Sequence, residues 1–219
     1  MTSAHRLSIV VLCAVAFGCG GSGGPQPATA PAPENRPLAA LAASGAIVTP
    51  TYALRAAPGL DWSARLEPSR ETLRVMDGEI AAAIASRGLK TGWLFPADLA
   101  LTYKRNPTYA SDPYALAAEP LRAPSFSAGT RLTEPLASQL RTMIALHENA
   151  RIVLLPIELR FERVDTTNTA RATLKLVTVD PRFSEARWVG EVKSDTTSAD
   201  PHVLMAALAR GVADLIVSR

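Results

Sequence analysis

Apolar residues recur along this chain with two different periods, and the switches between them mark out the elements. Ala46 to Arg55 is apolar and β-branched at its start and predicts a first strand. Between Leu66 and Arg87 the residues Leu73, Met76, Ile80, Ala83 and Ile84 fall on one helical face, with Ser69 placed to cap the helix and Gly88 suited to the left-handed position after its last turn. Gly92 to Phe95 reads as a short strand, and Pro96 as the first turn of a helix running to Arg105. Thr133 is placed to cap a second long helix, with Pro135 in its first turn and Leu136, Leu140, Met143, Ile144 and His147 on one face. The period then becomes two. Ile152 to Arg163 is apolar throughout at first and then alternates Leu159 and Phe161 against Glu158, Arg160 and Glu162, as a central strand does on emerging toward solvent. Ala170 to Val179 alternates Ala172, Leu174 and Leu176 against Arg171, Thr173 and Lys175; Asp180-Pro181 opens a turn, and Ala186 to Ser194 is a third strand. Asp200 followed by Pro201 starts a last helix with Leu204, Leu208, Gly211, Val212 and Leu215 turned inward. Gly211 lowers the propensity of that helix by about 1 kcal/mol against Ala, and close packing onto the sheet would account for it. This order predicts an α+β fold: a mixed sheet of about five strands with a C-terminal three-stranded antiparallel meander and helices packed on the sheet.

One stretch has no period. Asn106 to Leu132 contains Pro107, Pro113, Pro120 and Pro124 and is long for a connection inside a compact domain, a length usually tied to function or disorder. Tyr109, Tyr114 and Phe126 lie in it and Tyr103 just before it, which makes these four the candidate partner-contact residues, with packing back onto the domain as the alternative. A contact loop of this kind is expected to be removable without unfolding the domain.

The N-terminus has a different character. Leu7 to Phe17 is an apolar run following the single basic residue Arg6, and it is too short for a membrane-spanning helix, which needs about 20 apolar residues. It fits the core of a secretory signal peptide. The run ends in Ala16-Phe17-Gly18-Cys19, which resembles the lipobox of bacterial lipoproteins. That resemblance implies a signal peptide over residues 1–18, lipidation of Cys19, and anchorage by three acyl chains, above the two-signal threshold for stable membrane attachment. Gly20 rather than Asp follows the cysteine, which by resemblance to the enterobacterial sorting rule implies the outer membrane, facing the periplasm. Residues 19–44, Gly/Ser-rich and then Pro/Ala-rich, read as a tether, and 45–219 as a single domain. Cys13 would leave with the signal peptide, so the exported domain has no disulfide and depends on its core.

The order of elements is similar to that of an envelope-lipoprotein domain found in the curli secretion lipoprotein CsgG, the N-terminal domain of TolB and the penicillin-binding-protein activator LpoB. The similarity rests on Ile47-Val48-Thr49-Pro50 closing the first strand, the apolar strand from Arg151 to Ile157, Leu174 to Asp180 with its tight turn, the Trp-bearing strand Ala186-Arg187-Trp188-Val189-Gly190, and the Ala-rich last helix. It implies a binding or assembly module rather than an enzyme. Pro156 stands where members commonly carry Gly, and the 106–132 segment replaces a short link. The long amphipathic hairpins with which CsgG proteins build a pore are not evident.

Composition changes this picture little. The 219 residues are 47% hydrophobic and 20% charged, which excludes a fully disordered chain and a multi-span membrane protein. The net charge of +3 comes from scattered residues, almost all Arg, and no basic stripe of the kind nucleic acid requires is present. Gly18 to Gly23 fits G-x-G-x-x-G and Gly20 to Gly24 fits G-x-S-x-G, yet Pro25, Pro27, Pro31 and Pro33 deny either motif its following helix. His147-Glu148 begins a zinc motif that ends in Arg151, and the pairs Asp77/Glu79 and Glu158/Glu162 are spaced as surface charges. His147 reads as a packed histidine near a helix end and His202 as exposed. No catalytic, metal-binding or cofactor-binding residue is therefore expected. Three non-enzymatic readings follow: an anchored module binding a periplasmic or envelope protein, a self-associating subunit of an envelope complex, and a carrier of a small or lipidic ligand in a pocket under the insertion.

Overall fold

Two prolines decide the architecture of the sheet, because each removes a backbone donor from a strand that would otherwise be continuous. The computed structural model describes residues 36–147, 150–164 and 168–217. A short helix α1 (Leu41–Ser44) precedes β1 (Ala46–Val48) and β2 (Ala53–Ala56), then come α2 (Ser63–Leu66), α3 (Ser69–Ser86), β3 (Trp93–Leu94) and α4 (Pro96–Arg105). Two 3-10 turns (Pro113–Ala115 and Glu119–Arg122) lie in the insertion, followed by α5 (Leu136–Ala145), β4 (Val153–Arg163), β5 (Ala170–Asp180), β6 (Glu185–Lys193) and α6 (Pro201–Asp214). The sheet runs β3-β1-β4-β5-β6, with β2 in line beyond β1 against the same edge of β4. The pairs β1–β3, β1–β4 and β2–β4 are parallel, and β4–β5–β6 form the antiparallel meander. The fold is the expected α+β class, with six strands rather than five.

The sixth strand arises because the segment from 46 to 55 is not one strand. Regular pairing stops at Val48–Leu154 and resumes at Ala53–Glu158; between them the Thr49 and Tyr52 amides still donate to Leu154 O and Pro156 O, and Pro50 and Thr51 leave the ladder. Pro50 on one side and Pro156 on the other cannot donate to a ladder there. The β4–β5 register also shifts between Pro156 and Glu158, so the proline occupies a bulge in a central strand, one of the few places a sheet accepts it. The bulge reverses which side chains face which layer. Leu155 and Ile157 face the second core, whereas Leu159 and Phe161 face the first.

Both faces of the sheet are covered. On one, α3 contributes Met76, Ile80 and Ile84 and α6 contributes Leu204, Leu208 and Val212, against Val48, Leu154, Leu174 and Leu176. On the other, Leu99 of α4, Leu136, Leu140 and Met143 of α5 and three residues of the insertion, Leu116, Ala118 and Leu121, pack on Ile47, Leu155, Ile157, Val177 and Val179. The insertion is thus a structural layer. Gly211 fits the sequence argument: a Cβ there would stand 2.6 Å from Val192 Cγ1 of β6. Residues 32–219 form one compact unit containing both cores, the condition for folding apart from residues 1–31. That unit reaches further back than residue 45 because Leu38 and Leu41, read as tether, are core residues and the Leu38 amide donates to Leu215 O.

Helix starts differ from expectation in one respect. Ser69 and Thr133 do not cap. Glu67-Pro68 precedes α3 and Glu134-Pro135 precedes α5, and in each case the glutamate carboxylate lies over the first turn. Glu67 accepts from the Ser69 amide and hydroxyl at 3.1 and 3.2 Å, and Glu134 from the Ser138 amide at 3.0 Å and from its hydroxyl. The Asp200 cap of α6 is present, accepting from the His202 amide at 3.0 Å.

Candidate functional site

Where the ladder opens between the two prolines, the chain builds a cavity. Thr49 to Ala53 form one wall, the first turns of α3 with Arg70, Leu73, Arg74 and Asp77 a second, the insertion from Asp112 to Glu119 the roof, and Leu155 to Ile157 of β4 the floor. Its volume is about 640 Å³, within the range of pockets that hold small ligands. It lies off the C-terminal end of the parallel strand β1, the end at which open α/β sheets characteristically bind ligands.

The wall at 49–52 is held by an acid. With no partner in the sheet, the Thr51 amide donates to Asp77 Oδ1 at 2.7 Å, and the Thr51 hydroxyl donates to the same oxygen at 2.7 Å. The Tyr52 amide returns to β4 through Pro156 O at 2.9 Å. Asp77 is only 7% exposed, so its reading as a surface charge is corrected: the helical face that carries Leu73 and Ile80 also carries position 77. Its second oxygen, Oδ2, is buried with no hydrogen-bond partner among the described residues. Burial pushes the carboxyl up to about 6, against the opposing pull of the Thr51 hydroxyl and amide and of Arg74.

The roof is fixed at both ends. Asp112 accepts from the Tyr114 amide at 2.9 Å and starts the first 3-10 turn. Gln139 of α5 accepts from the Ala117 amide at 2.9 Å and donates to Ala115 O at 3.4 Å. Farther along, Arg122 donates to Glu158 Oε1 at 3.0 and 2.5 Å, and Lys175 Nζ donates to the Arg122 and Ala123 carbonyls at 3.3 and 2.9 Å. Glu158 is 5% exposed and Arg160 Nη1 lies 3.6 Å from it, so this carboxylate too belongs to the interior, while Glu162 remains exposed. Burial lowers the Lys175 ammonium from its usual value, with Glu191 and Glu158 opposing. Tyr52, on the cavity wall, has its phenol raised by burial and by the neighbouring Glu119 carboxylate. Across the mouth, the Arg74 guanidinium stands 5.7 Å over the ring of Tyr114, joining α3 to the insertion.

The four candidate contact aromatics separate. Tyr109 is 76% and Tyr114 49% exposed, Tyr103 is half-buried, and Phe126 packs against the second core. Only Tyr114 borders the cavity. Cys19, the lipidation candidate, lies outside the described residues. His147 is half-buried just past α5, where burial lowers its pKa despite Asp98 nearby, and His202 is exposed. Among the described residues, no group of three or more His, Cys, Asp or Glu is placed to hold a metal ion, and no helix is long and apolar enough to cross a membrane. Comparison with protein-family models, with curated proteins and with solved structures returns no match for this chain.

Proposed function

We propose that this chain is a non-catalytic binding module held on the periplasmic face of a bacterial outer membrane by lipid on Cys19, and that it binds a small, largely apolar ligand beneath its insertion. The cavity of about 640 Å³ carries this reading, because its roof is clamped in place and its walls combine apolar residues with fixed polar and charged groups. The lipidated N-terminus rests on the sequence from Leu7 to Cys19. Substituting Cys19→Ser is expected to abolish acyl labelling and move the protein from the membrane to the soluble fraction; continued membrane retention would remove the anchor from the proposal.

Native mass spectrometry of residues 32–219 purified from the periplasm tests the ligand. A discrete bound mass is expected, and Ala115→Trp, which adds bulk to the exposed edge of the roof, is expected to lose it while melting within a few degrees of the parent. A ligand retained undiminished by that variant lies elsewhere. Docking of an envelope protein is a second reading, favoured by the exposure of Tyr109 and Tyr114 on the insertion. In-cell crosslinking that depends on Tyr109, which does not border the cavity, would support it independently of any ligand.

A further inference from the structure

The charges at the cavity mouth are not equally available. The acids around it each accept hydrogen bonds from within the chain, Asp77 through Oδ1 alone. Asp77 accepts two hydrogen bonds from Thr51, Asp112 accepts the Tyr114 amide, and Glu119 accepts from Arg122 Nη1 through both oxygens at 2.8 and 3.1 Å. The bases are held more loosely. Arg70 is exposed and has no ion pair or hydrogen bond among the described residues, and Arg74 has an exposed Glu71 at 3.5 Å, the face of Tyr114 and a Coulombic pull on Asp77 without a direct contact to it. An exposed pair of that length contributes little and yields readily to a better acceptor. Arg70 and Arg74 are four residues apart on one face of α3 and both line the cavity, together with the apolar Pro50, Leu73, Leu155 and Ile157.

From this juxtaposition we infer that the cavity takes an amphiphilic anion: an apolar chain inserted between α3 and the insertion, ending in one carboxylate or phosphate held by Arg70 and Arg74. Guanidinium groups bind both heads in the same forked geometry, so the shared chemistry is the oxyanion. This rests on the reading of the cavity as a ligand site and adds the class of the ligand. Arg74 would exchange Glu71 for the ligand head while remaining over Tyr114, and Tyr114 would cover the chain where it enters.

The test titrates residues 32–219 with four probes sharing one chain: dodecanoate, dodecyl phosphate, dodecanol and dodecylamine, followed by calorimetry below their micelle thresholds. Dodecanoate or dodecyl phosphate is expected to bind at least about ten-fold more tightly than dodecanol, with dodecylamine weakest, and whichever anion is preferred identifies the head as carboxylate or phosphate. In the double variant Arg70→Gln/Arg74→Gln both anions are expected to fall to the affinity of dodecanol, which itself stays unchanged and so reports an intact cavity. Equal binding of dodecanol and the anions, tighter binding of dodecylamine, or anion binding undiminished in the double variant overturns the inference while leaving the cavity a ligand site. Failure of all four probes to bind overturns the underlying reading as well.

Discussion

Asp77 shows how much a single residue can reveal once its surroundings are known. In the sequence it is one of many acids, yet it stands four residues after Leu73 and three before Ile80, inside the apolar stripe of α3. That position was a readable signal of burial; what it is buried against was not, because Thr51 comes from a segment whose departure from the sheet depends on two prolines far apart in the chain. Since folding raises this carboxyl to about 6, the native state holds its proton more tightly than the unfolded chain, and stability due to Asp77 is present at low pH and lost as pH rises through about 6. Asp77→Asn keeps an acceptor for Thr51 but cannot ionise. The stability difference between variant and parent, from denaturant melts, is expected to move in favour of the variant by about 2–3 kcal/mol between pH 4 and pH 8. A difference independent of pH would mean that Asp77 is not held in an ionisation-averse site. Glu158 was hidden for another reason: strict alternation places it toward solvent, and the bulge at Pro156 together with the covering Arg122 brings it inside.

At the scale of elements, periodic segments were legible almost to the residue, as in α4 (Pro96–Arg105) and α6 (Pro201–Asp214). Their signals are local: a proline in the first turn, a capping carboxylate and a stripe of apolar residues. The split between β1 and β2 was not legible because it is a property of two strands paired at a distance, and the insertion was not because its buried residues follow no period. Gly211 belongs to this scale, since it sets how close α6 comes to β6. In an exposed helix Gly→Ala would stabilise by about 1 kcal/mol. Here the added methyl meets Val192, and Gly211→Ala is expected to destabilise by about 1–2 kcal/mol in urea melts, with Val192→Ala in the same chain recovering much of the loss. If Gly211→Ala alone is stabilising, the helix does not lie on the sheet as closely as described.

For the whole molecule, the insertion alters what an experiment on it can mean. Read from the sequence, 106–132 was either a contact loop removable from an intact domain or a segment whose aromatics pack back onto it. In the fold, Leu116, Ala118 and Leu121 are part of the second core, and Gln139 and Lys175 fasten the neighbouring backbone at Ala115, Ala117, Arg122 and Ala123. Deleting 106–132 is therefore expected to lose cooperative unfolding and to expose enough apolar sheet to bind a hydrophobic dye; a deletion variant that melts as sharply as the parent would show the layer to be dispensable. The same double duty bears on how such a protein could change its ligand over time. A roof that is also a core wall cannot vary freely, because a substitution at Leu116 or Ala118 alters folding before it alters recognition. Room for adaptation lies instead at exposed positions that border the cavity without entering either core, among them Arg70, Arg74, Tyr114 and Ala115. Divergent copies of this fold should differ there first, acquiring new preferences at the mouth while the chamber behind it stays as it is.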